Sequence, residues 1–351
     1  MKSLLELFFT SFGGAVVVYY GVKLLLVTRM LYSKMWFPLP KSFFSSMGEW
    51  AVVTGASEGI GREYALALAE QGMNVVIMSR TKATLDQLAK EIGNTTGREV
   101  KVLVTDFTMD NIFSDIEEQL KDLNIGVLVN NVGILPSVVP CRFLENADLD
   151  QVSGVPDMSQ MHNFLNNVYR LYNFQTEQSL CIFQAITRVI NCNVKTMVKM
   201  CKTILPGMEN RGRGVIVNVS SGIASIPFPM YSLYAASKIF VERFSQGLQA
   251  EYKKNGIIIQ AVAPFGVSTR MNGYQSTNVV TLSPRDFVKS SLQYLRAGDR
   301  TYGSISHTFL GWLLQSTPLK IVYAEAVLNG LQEFVARKLA QKRSMSALSA
   351  A

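Results

Sequence analysis

The chain is poor in the residues on which metal sites and hydrolytic triads most often depend. Only two histidines, His162 and His307, occur among its 351 residues, and they lie far apart. A zinc site or a Ser-His-Asp triad is therefore improbable, and we expect no metal. The four cysteines follow no C-x-x-C or other regular spacing, which indicates reduced thiols in a cytosol-facing protein; they are Cys141, Cys181, Cys192 and Cys201.

Charged residues are also scarce, at 17% of the chain, which is low for a soluble protein and suggests contact with a membrane. The formal net charge is +8, yet no arginine-rich run or nucleic-acid motif accompanies it, so we expect no nucleic-acid partner. A modest basic excess fits an anionic membrane surface and a phosphate-rich ligand. The length allows a large buried core in one or two domains.

The N-terminus is the most apolar part of the chain. The run from Leu7 to Val22 carries no charge, and residues 4–30 are long enough to span a bilayer, although Glu6 and Lys23 interrupt them. No small-residue cleavage site follows, so a cleaved signal peptide fits less well. We interpret residues 1–30 as a membrane anchor; the alternative is an apolar helix lying on the membrane surface or on the domain.

Basic residues flank this segment unequally. Only Lys2 precedes its core, whereas four basic residues follow it: Lys23, Arg29, Lys34 and Lys41. The positive-inside rule then predicts that the rest of the chain lies in the cytosol. The Pro- and Ser-containing stretch "FPLPKSFFSS" predicts a linker over residues 31–48.

From Trp50 onward, short apolar runs alternate with helical patterns. Six such runs, rich in Val and Ile, predict strands: "WAVVT", "NVVIMS", "VKVLVTDF", "IGVLVNN", "GVIVNVSS" and "GIIIQAVAP". Strands that are apolar throughout and alternate with helices predict an α/β fold, a doubly wound parallel sheet covered on both faces. We assign residues 49–300 to this domain and 301–351 to an apolar helical extension that contacts the substrate or the membrane.

A glycine-rich stretch, "TGASEGIGR", follows the first predicted strand directly. Its glycines, Gly55, Gly59 and Gly61, have the spacing G-x-x-x-G-x-G, with Ser57 and Ile60 between them. A tight turn, close approach of the backbone to a pyrophosphate and a helix N-terminus aimed at it all require such glycines. This strand–turn–helix context favours a dinucleotide site over an ordinary glycine-rich turn.

Polar residues follow the next three strands. Ser79 and Arg80 end the second strand, where an arginine accommodates a 2′-phosphate and so favours NADPH. Asp106, after the third strand, could accept a hydrogen bond from an adenine amino group or could cap the next helix. Asn130 and Asn131 end the fourth strand and should face the same crevice.

The stretch "MYSLYAASK" contains two tyrosines, of which only Tyr234 has a lysine, Lys238, four residues later. Residues i and i+4 share a helix face, so Tyr234 and Lys238 should point together into one cleft while Tyr231 points elsewhere. Ser221 ends the fifth strand, 13 residues before Tyr234. A strand-end hydroxyl and a helical Tyr/Lys pair can converge on one carbonyl group.

The motifs "TGASEGIG", "NNVG", "SS" and "YAASK", in this order, resemble the short-chain dehydrogenase/reductase family over roughly Trp50 to Met271. The resemblance implies a Rossmann-type fold, with Asn193 supporting a proton relay and Thr269 contacting the nicotinamide carboxamide. The chain departs from the family pattern at Val132 and Phe265. Activity is still expected, because neither residue is a catalytic group, but the family pattern does not predict the geometry of these two loops.

Longer stretches, such as "SSGIASIPFPMYSLYAASK" and "TTGREVKV", resemble the membrane-bound 17β-hydroxysteroid dehydrogenases. This resemblance implies NADPH-dependent reduction of a bulky apolar ketone, of the androstenedione-to-testosterone type, at the endoplasmic reticulum membrane. Tyr234 would act as general acid, with its pKa lowered by Lys238, which would also hold the nicotinamide ribose; Ser221 would bind the substrate oxygen.

Two alternatives remain open. One is a very-long-chain 3-oxoacyl-CoA reductase of fatty-acid elongation, and the other is an anchored binding protein without turnover. The intact set of Asn193, Ser221, Tyr234 and Lys238 argues against the second, because binding alone does not require it. Homodimer formation also remains open.

Residues 152–184 interrupt the regular alternation. They separate Asn131 from Asn193, which are 62 positions apart, and removing their 33 residues joins "ENADLDQ" to "AITRVINCNVKTMVKM" in one amphipathic pattern. The ends fit the codon patterns of splice sites. We therefore predict an irregular insertion, translated from a retained intron; the alternative is a genuine insertion loop, which costs little entropy at a surface.

Overall fold

The computed structural model describes residues 2–31, 39–40, 42–136, 140–143 and 184–350. Helix α1, Lys2–Leu31, is exposed throughout its stretch Leu5–Val22, which is apolar and long enough to cross a membrane. The predicted linker is partly structured: Phe43–Met47 form helix α2, whose Phe43 and Phe44 are buried in the core. The Pro/Ser pattern predicted a linker and did not predict that these two aromatic side chains would pack in the core.

Seven parallel strands form one sheet in the order β3-β2-β1-β4-β5-β6-β7. This confirms the doubly wound α/β prediction. The strands are β1 Trp50–Thr54, β2 Asn74–Ser79, β3 Val100–Val104, β4 Ile125–Asn130, β5 Gly214–Val219, β6 Ile257–Val262 and β7 Arg300–Thr301.

Helices cover both faces of the sheet. In the catalytic part they are α3 Gly59–Glu70, α4 Lys82–Thr96, α5 Phe113–Leu120, α6 Thr196–Arg211, α7 Ser232–Tyr252 and α8 Pro284–Gln293. Successive residues of β1 point to opposite faces of the sheet and pack in different apolar clusters. Val53 lies in the cluster that contains Leu68 of α3, and Val52 lies in the cluster that contains Met200 of α6. A strand that is apolar on both faces therefore fits only a sheet covered on both sides.

The strand order reverses between β1 and β4, and this reversal opens a crevice at the carboxyl ends of the strands. Helices α9 Ile305–Ser316, α10 Leu319–Val322 and α11 Glu325–Ala350 follow β7. The expected boundary between residues 300 and 301 falls within β7, because Arg300 and Thr301 pair with β6. Residues 152–183 of the predicted insertion lie outside the described part. Its last residue, Gln184, begins a helical stretch over residues 184–189.

Candidate active site

A cleft of about 1030 Å³ lies at the carboxyl ends of the strands. Most of the candidate residues from the sequence line it: Gly55, Ser57, Gly59, Ile60, Ser79, Arg80, Asp106, Asn131, Ser221, Tyr234, Lys238 and Thr269. Gly61 and Asn193 do not line the cleft but support residues that do. The expectation that Asn130 faces the crevice is wrong, because its buried side chain donates to Asn218 inside the protein. The chain thus brings residues from seven separate segments to one place.

The glycine-rich turn between β1 and α3 requires glycine because of its backbone dihedral angles and the close approach of its own main chain. Gly55 and Gly59 have φ values of +67° and +59°, a region that side chains disfavour. A Cβ atom on Gly61 would lie 2.3 Å from the Gly55 carbonyl oxygen. Asn131 closes the turn from β4, since its Nδ2 donates to the carbonyls of Thr54 and Gly55, each at 3.1 Å.

The residues after β2 and β3 lie along the same side of the cleft. Arg80 is exposed at its margin. Asp106 accepts hydrogen bonds from the Thr108 backbone N–H (3.0 Å) and hydroxyl (2.9 Å). Helix α5 begins only at Phe113 and receives no side-chain cap, so the alternative that Asp106 caps it is wrong. The carboxylate instead closes a turn at the edge of the cleft.

Tyr234 and Lys238 share one face of α7, as their spacing predicts. Both are buried, at 7% and 3% exposure. Lys238 Nζ donates to the Val219 carbonyl at the end of β5 (2.9 Å) and lies 5.7 Å from the centre of the Tyr234 ring. Ser221 follows β5 and hydrogen-bonds Tyr234. The strand end and the helix therefore converge as predicted.

The electrostatics of this pair differ from expectation. Burial raises the pKa of Tyr234 to about 12, while the hydrogen bond with Ser221 acts in the lowering direction. Burial also lowers the pKa of Lys238 to about 8. The expected lowering of the phenol pKa is therefore wrong for this structure, because removal from water dominates and raises it.

Tyr231 does not point away from the cleft but lines it beside Tyr234. The prediction was wrong because Tyr231 is the residue before the first turn of α7, with φ −123° and ψ 26°, so helical periodicity does not apply to it. Its ring lies 6.2 Å from that of Phe228, and burial raises its pKa to about 12.

Asn193 lies in a π-helical turn, Ile190–Lys195, that precedes α6. Its side chain accepts from the Ile134 N–H (2.8 Å) and donates to the Ile134 carbonyl and to the Ser237 hydroxyl (3.0 Å each). Asn193 therefore connects the loop after β4 to α7. Turns of this type often occur at functional sites, but the sequence has no signal that predicts one.

A second group of residues across the cleft was not singled out from the sequence. Glu58, in the glycine-rich turn, pairs with Arg270 (2.7 Å) and accepts from the Tyr274 hydroxyl (3.0 Å). Arg270 and Tyr274 belong to the segment after β6, and all three line the cleft. This contact joins the two walls of the cleft, and only tertiary structure reveals it.

A parallel sheet with this topology, a glycine-rich first turn and a Tyr/Lys/Ser cluster at the strand ends define the class of dinucleotide-binding oxidoreductases. A family model described as short chain dehydrogenase matches residues 49–162 and 155–279. The chain belongs to this family. The two matched segments overlap over residues 155–162, within residues 152–184.

Among curated proteins, the chain is similar to 17-beta-hydroxysteroid dehydrogenase type 3 of Danio rerio, with 50% identity over 333 residues, 95% of this chain and 98% of the relative. It is 39% identical to very-long-chain 3-oxoacyl-CoA reductase of Anas platyrhynchos over 277 residues, 79% and 78% of the two chains. Among solved structures, it resembles a short-chain dehydrogenase from Sphingobium yanoikuyae in complex with NADPH (28% identity, TM-score 0.56, covering 72% and 86%).

Proposed function

We propose that this chain is an NADPH-dependent ketone reductase that acts on 17-ketosteroids, converting androstenedione to testosterone. The observation that carries the proposal is the convergence of Ser221, Tyr234 and Lys238 at the cleft, in a chain 50% identical to a 17-beta-hydroxysteroid dehydrogenase type 3.

The cleft fits NADPH. A Cβ on Gly59 would lie 2.9 Å from Thr269, and one on Gly133 would lie 3.1 Å from Lys238 Nζ, so glycines allow these segments to approach closely around the cleft. Arg80 would pair with the 2′-phosphate and Ser79 would lie beside it. The similar Sphingobium yanoikuyae enzyme is described in complex with NADPH, which supports this choice. When bound, the nicotinamide supplies the hydride to the carbonyl carbon.

The residues of the chain supply the proton and the electrostatic support. Reduction adds a hydride to the carbonyl carbon and a proton to its oxygen, and Tyr234 donates that proton as general acid. A phenol whose pKa is about 12 is fully protonated at neutral pH, which suits an acid in the reduction direction. Ser221 donates a hydrogen bond to the same oxygen as negative charge develops there.

Lys238 and Asn193 complete the site. Lys238 is charged below its pKa of about 8 and lies next to the phenol, where a positive charge stabilises the phenolate left after proton transfer. Asn193 holds the loop at Ile134 against α7 through three hydrogen bonds. After Tyr234 has donated its proton to the substrate, water that reaches Asn193 and Lys238 would supply the proton that restores the phenol.

The remaining wall of the cleft favours a bulky apolar ketone. Phe265, Met271, Val335 and Tyr231 line it, and Tyr234 lies 4.0 Å from the Met271 sulfur. A rigid steroid would contact such a wall over its whole length. The similarity to a 3-oxoacyl-CoA reductase keeps that substrate as the second candidate.

A side-by-side assay tests the choice of substrate. Microsomes carrying the chain, supplied with NADPH, are offered androstenedione or a long-chain 3-oxoacyl-CoA at equal concentration. The proposal predicts faster turnover of the steroid. Preferential turnover of the acyl-CoA would contradict it, and microsomes carrying Tyr234→Phe control for host enzymes.

Membrane attachment is supported by helix α9 as well as by helix α1. Helix α9 presents its large apolar side chains outward, with Ile305, Phe309 and Trp312 each more than half exposed, while its buried face carries His307, Thr308 and Gly311. A helix with this inverted pattern needs an apolar partner. We assign that partner as the bilayer in which α1 is anchored.

We place the chain in the endoplasmic reticulum membrane, and the basic flank of α1 supports a catalytic domain that faces the cytosol. Protease added to intact microsomes should then digest the catalytic domain without detergent. Protection until detergent is added would place the domain in the lumen and contradict the assignment.

A further inference from the structure

Helix α7 carries a buried carboxylate, Glu242, one turn beyond Lys238, and only 3% of the residue is exposed. Its Oε2 accepts from the Nε atom of Arg300 at 2.6 Å. Its Oε1 lies 3.2 Å from the hydroxyl of Ser220. Arg300 comes from β7, which follows Glu242 by 58 positions, so the ion pair links the last strand to the helix that bears Tyr234.

Both members of the pair also contact the segment that carries Ser221. The Ser220 hydroxyl lies 2.8 Å from the Lys238 carbonyl, so its single proton is shared between that carbonyl and Glu242. Arg300 uses its second nitrogen to donate to the Ser225 hydroxyl at 3.1 Å. Ser225 ends the short 3-10 turn Gly222–Ser225, which Ser221 caps.

Residues 220–225 are thus held at both ends, by Glu242 at the start and by Arg300 at the finish. Tyr302 closes the arrangement, since its hydroxyl bonds Ser225 (2.9 Å) and the Arg300 guanidinium lies 4.4 Å from its ring centre. A fork of two donors on one guanidinium can join a carboxylate and a hydroxyl in fixed geometry, which an aliphatic pair cannot do.

We infer that Glu242 and Arg300 are positioning residues that hold Ser221 against Tyr234 and Lys238. This inference rests on the proposed function, because it concerns the same site. Neither residue lines the cleft, so they act on the reaction indirectly, and their hydrogen bonds to Ser220 and Ser225 connect them to the segment that carries Ser221. Buried ion pairs are often replaceable by apolar residues without loss of stability, so a stabilising role alone would not require this one.

Three variants separate positioning from stability. Glu242→Gln removes one charge, and the double variant Glu242→Leu with Arg300→Met removes both and leaves no buried charge unpaired. Ser291→Ala is the control, because it removes a buried hydrogen bond to Tyr64 (2.6 Å) at the α3–α8 contact. For each we measure kcat, the Kd for NADPH, the thermal midpoint and hydrogen exchange of residues 219–226.

We expect Glu242→Gln to lower kcat about tenfold, with the NADPH Kd changed less than twofold. The double variant should have a thermal midpoint close to that of the wild type but a kcat that stays low. The single and the double variant should both show exchange of residues 219–226 that is several-fold faster than in the wild type. Ser291→Ala should lower the midpoint and leave kcat and that exchange unchanged.

A double variant whose kcat returns together with its stability would overturn the inference, as would unchanged exchange of residues 219–226 in all variants. The exchange measurement does not depend on turnover. A wild-type chain that reduces no ketone would therefore count against the proposed function, while the exchange result would still decide the role of the pair.

Discussion

The wall of the cleft formed by residues 55–134 includes the glycine-rich turn, whereas the opposite wall, residues 265–276 with Val335, carries the large apolar side chains of Phe265 and Met271 beside Thr269, which we assign to the cofactor. The first wall is fixed by backbone demands: positive φ at Gly55 and Gly59, and carbonyls tied by Asn131. A wall of this kind suits a cofactor common to many reductases. The second wall varies in shape with its side chains and so is suited to selecting the ketone.

The helices beside the two walls also differ in which side chains they bury. Helix α3 buries Tyr64, Ala65 and Leu68 beside the cofactor wall. Helix α9, beyond the substrate wall, buries polar residues and exposes Phe309 and Trp312. The cofactor wall thus rests on an ordinary core, and the substrate wall is continuous with a surface that we assign to the membrane.

The largest effect is expected where the walls meet, at Tyr234. Tyr234→Phe should lower kcat by about 10²–10⁴-fold, because it removes the proton donor and leaves the ring in place. NADPH binding, followed by fluorescence, should be unchanged.

Tyr231→Phe is the matched control for this substitution, since Tyr231 lines the same cleft. It should change the KM for the ketone more than kcat. Equal losses of kcat in the two variants would show that Tyr234 has been assigned wrongly.

On the cofactor wall, Gly61→Ala should weaken NADPH binding by about 10–100-fold. The added methyl group would meet the Gly55 carbonyl at 2.3 Å, and relieving such overpacking costs about 1–3 kcal/mol. Titration of NADPH fluorescence gives the Kd. Gly93→Ala, in α4 with open space around it, is the control and should bind NADPH normally; similar Kd values for the two variants would count against the predicted close approach.

Arg80→Gln should raise the KM for NADPH by about 10–100-fold and leave the KM for NADH nearly unchanged. The substitution removes a charge-assisted hydrogen bond to the 2′-phosphate, a contact of about 1.5–3 kcal/mol. Steady-state kinetics with both cofactors measure the ratio. If the two KM values rise together, Arg80 does not select the cofactor.

The smallest expected effect is on the pH profile. Burial lowers the pKa of Lys238 to about 8, so its positive charge is lost as the pH rises through that value. Tyr234 stays protonated, because its pKa is raised to about 12. The kcat/KM for NADPH, which reports the free enzyme, should therefore fall several-fold between about pH 7 and pH 9. A flat profile to pH 10 would contradict the role given to the Lys238 charge.

The difference between the walls also explains what could be predicted from sequence. Gly55, Gly59 and the Tyr234–Lys238 spacing were identifiable because backbone geometry and helix periodicity demand particular residue types at fixed intervals. The π-helical turn at Asn193 and the Glu58–Arg270 contact have no such pattern, since they depend on residues brought together by the fold. The position of Tyr231 was missed because the start of α7 could not be fixed to the residue.

Residues 152–184 remain a prediction from sequence alone, although the two family matches overlap within them. Deleting these residues should preserve or raise activity if they are a retained intron, and a loss of NADPH-dependent turnover would favour a functional insertion.

Hydride transfer itself can be followed with NADPH carrying two deuterium atoms at C4 of the nicotinamide. Purified chain is incubated with this cofactor and androstenedione, and the product is analysed by mass spectrometry. The account predicts testosterone with one deuterium on the C17 carbinol carbon, one NADPH consumed per product, and no product from Tyr234→Phe. Unlabelled testosterone, or equal product from Tyr234→Phe, would contradict direct hydride transfer with Tyr234 as the acid.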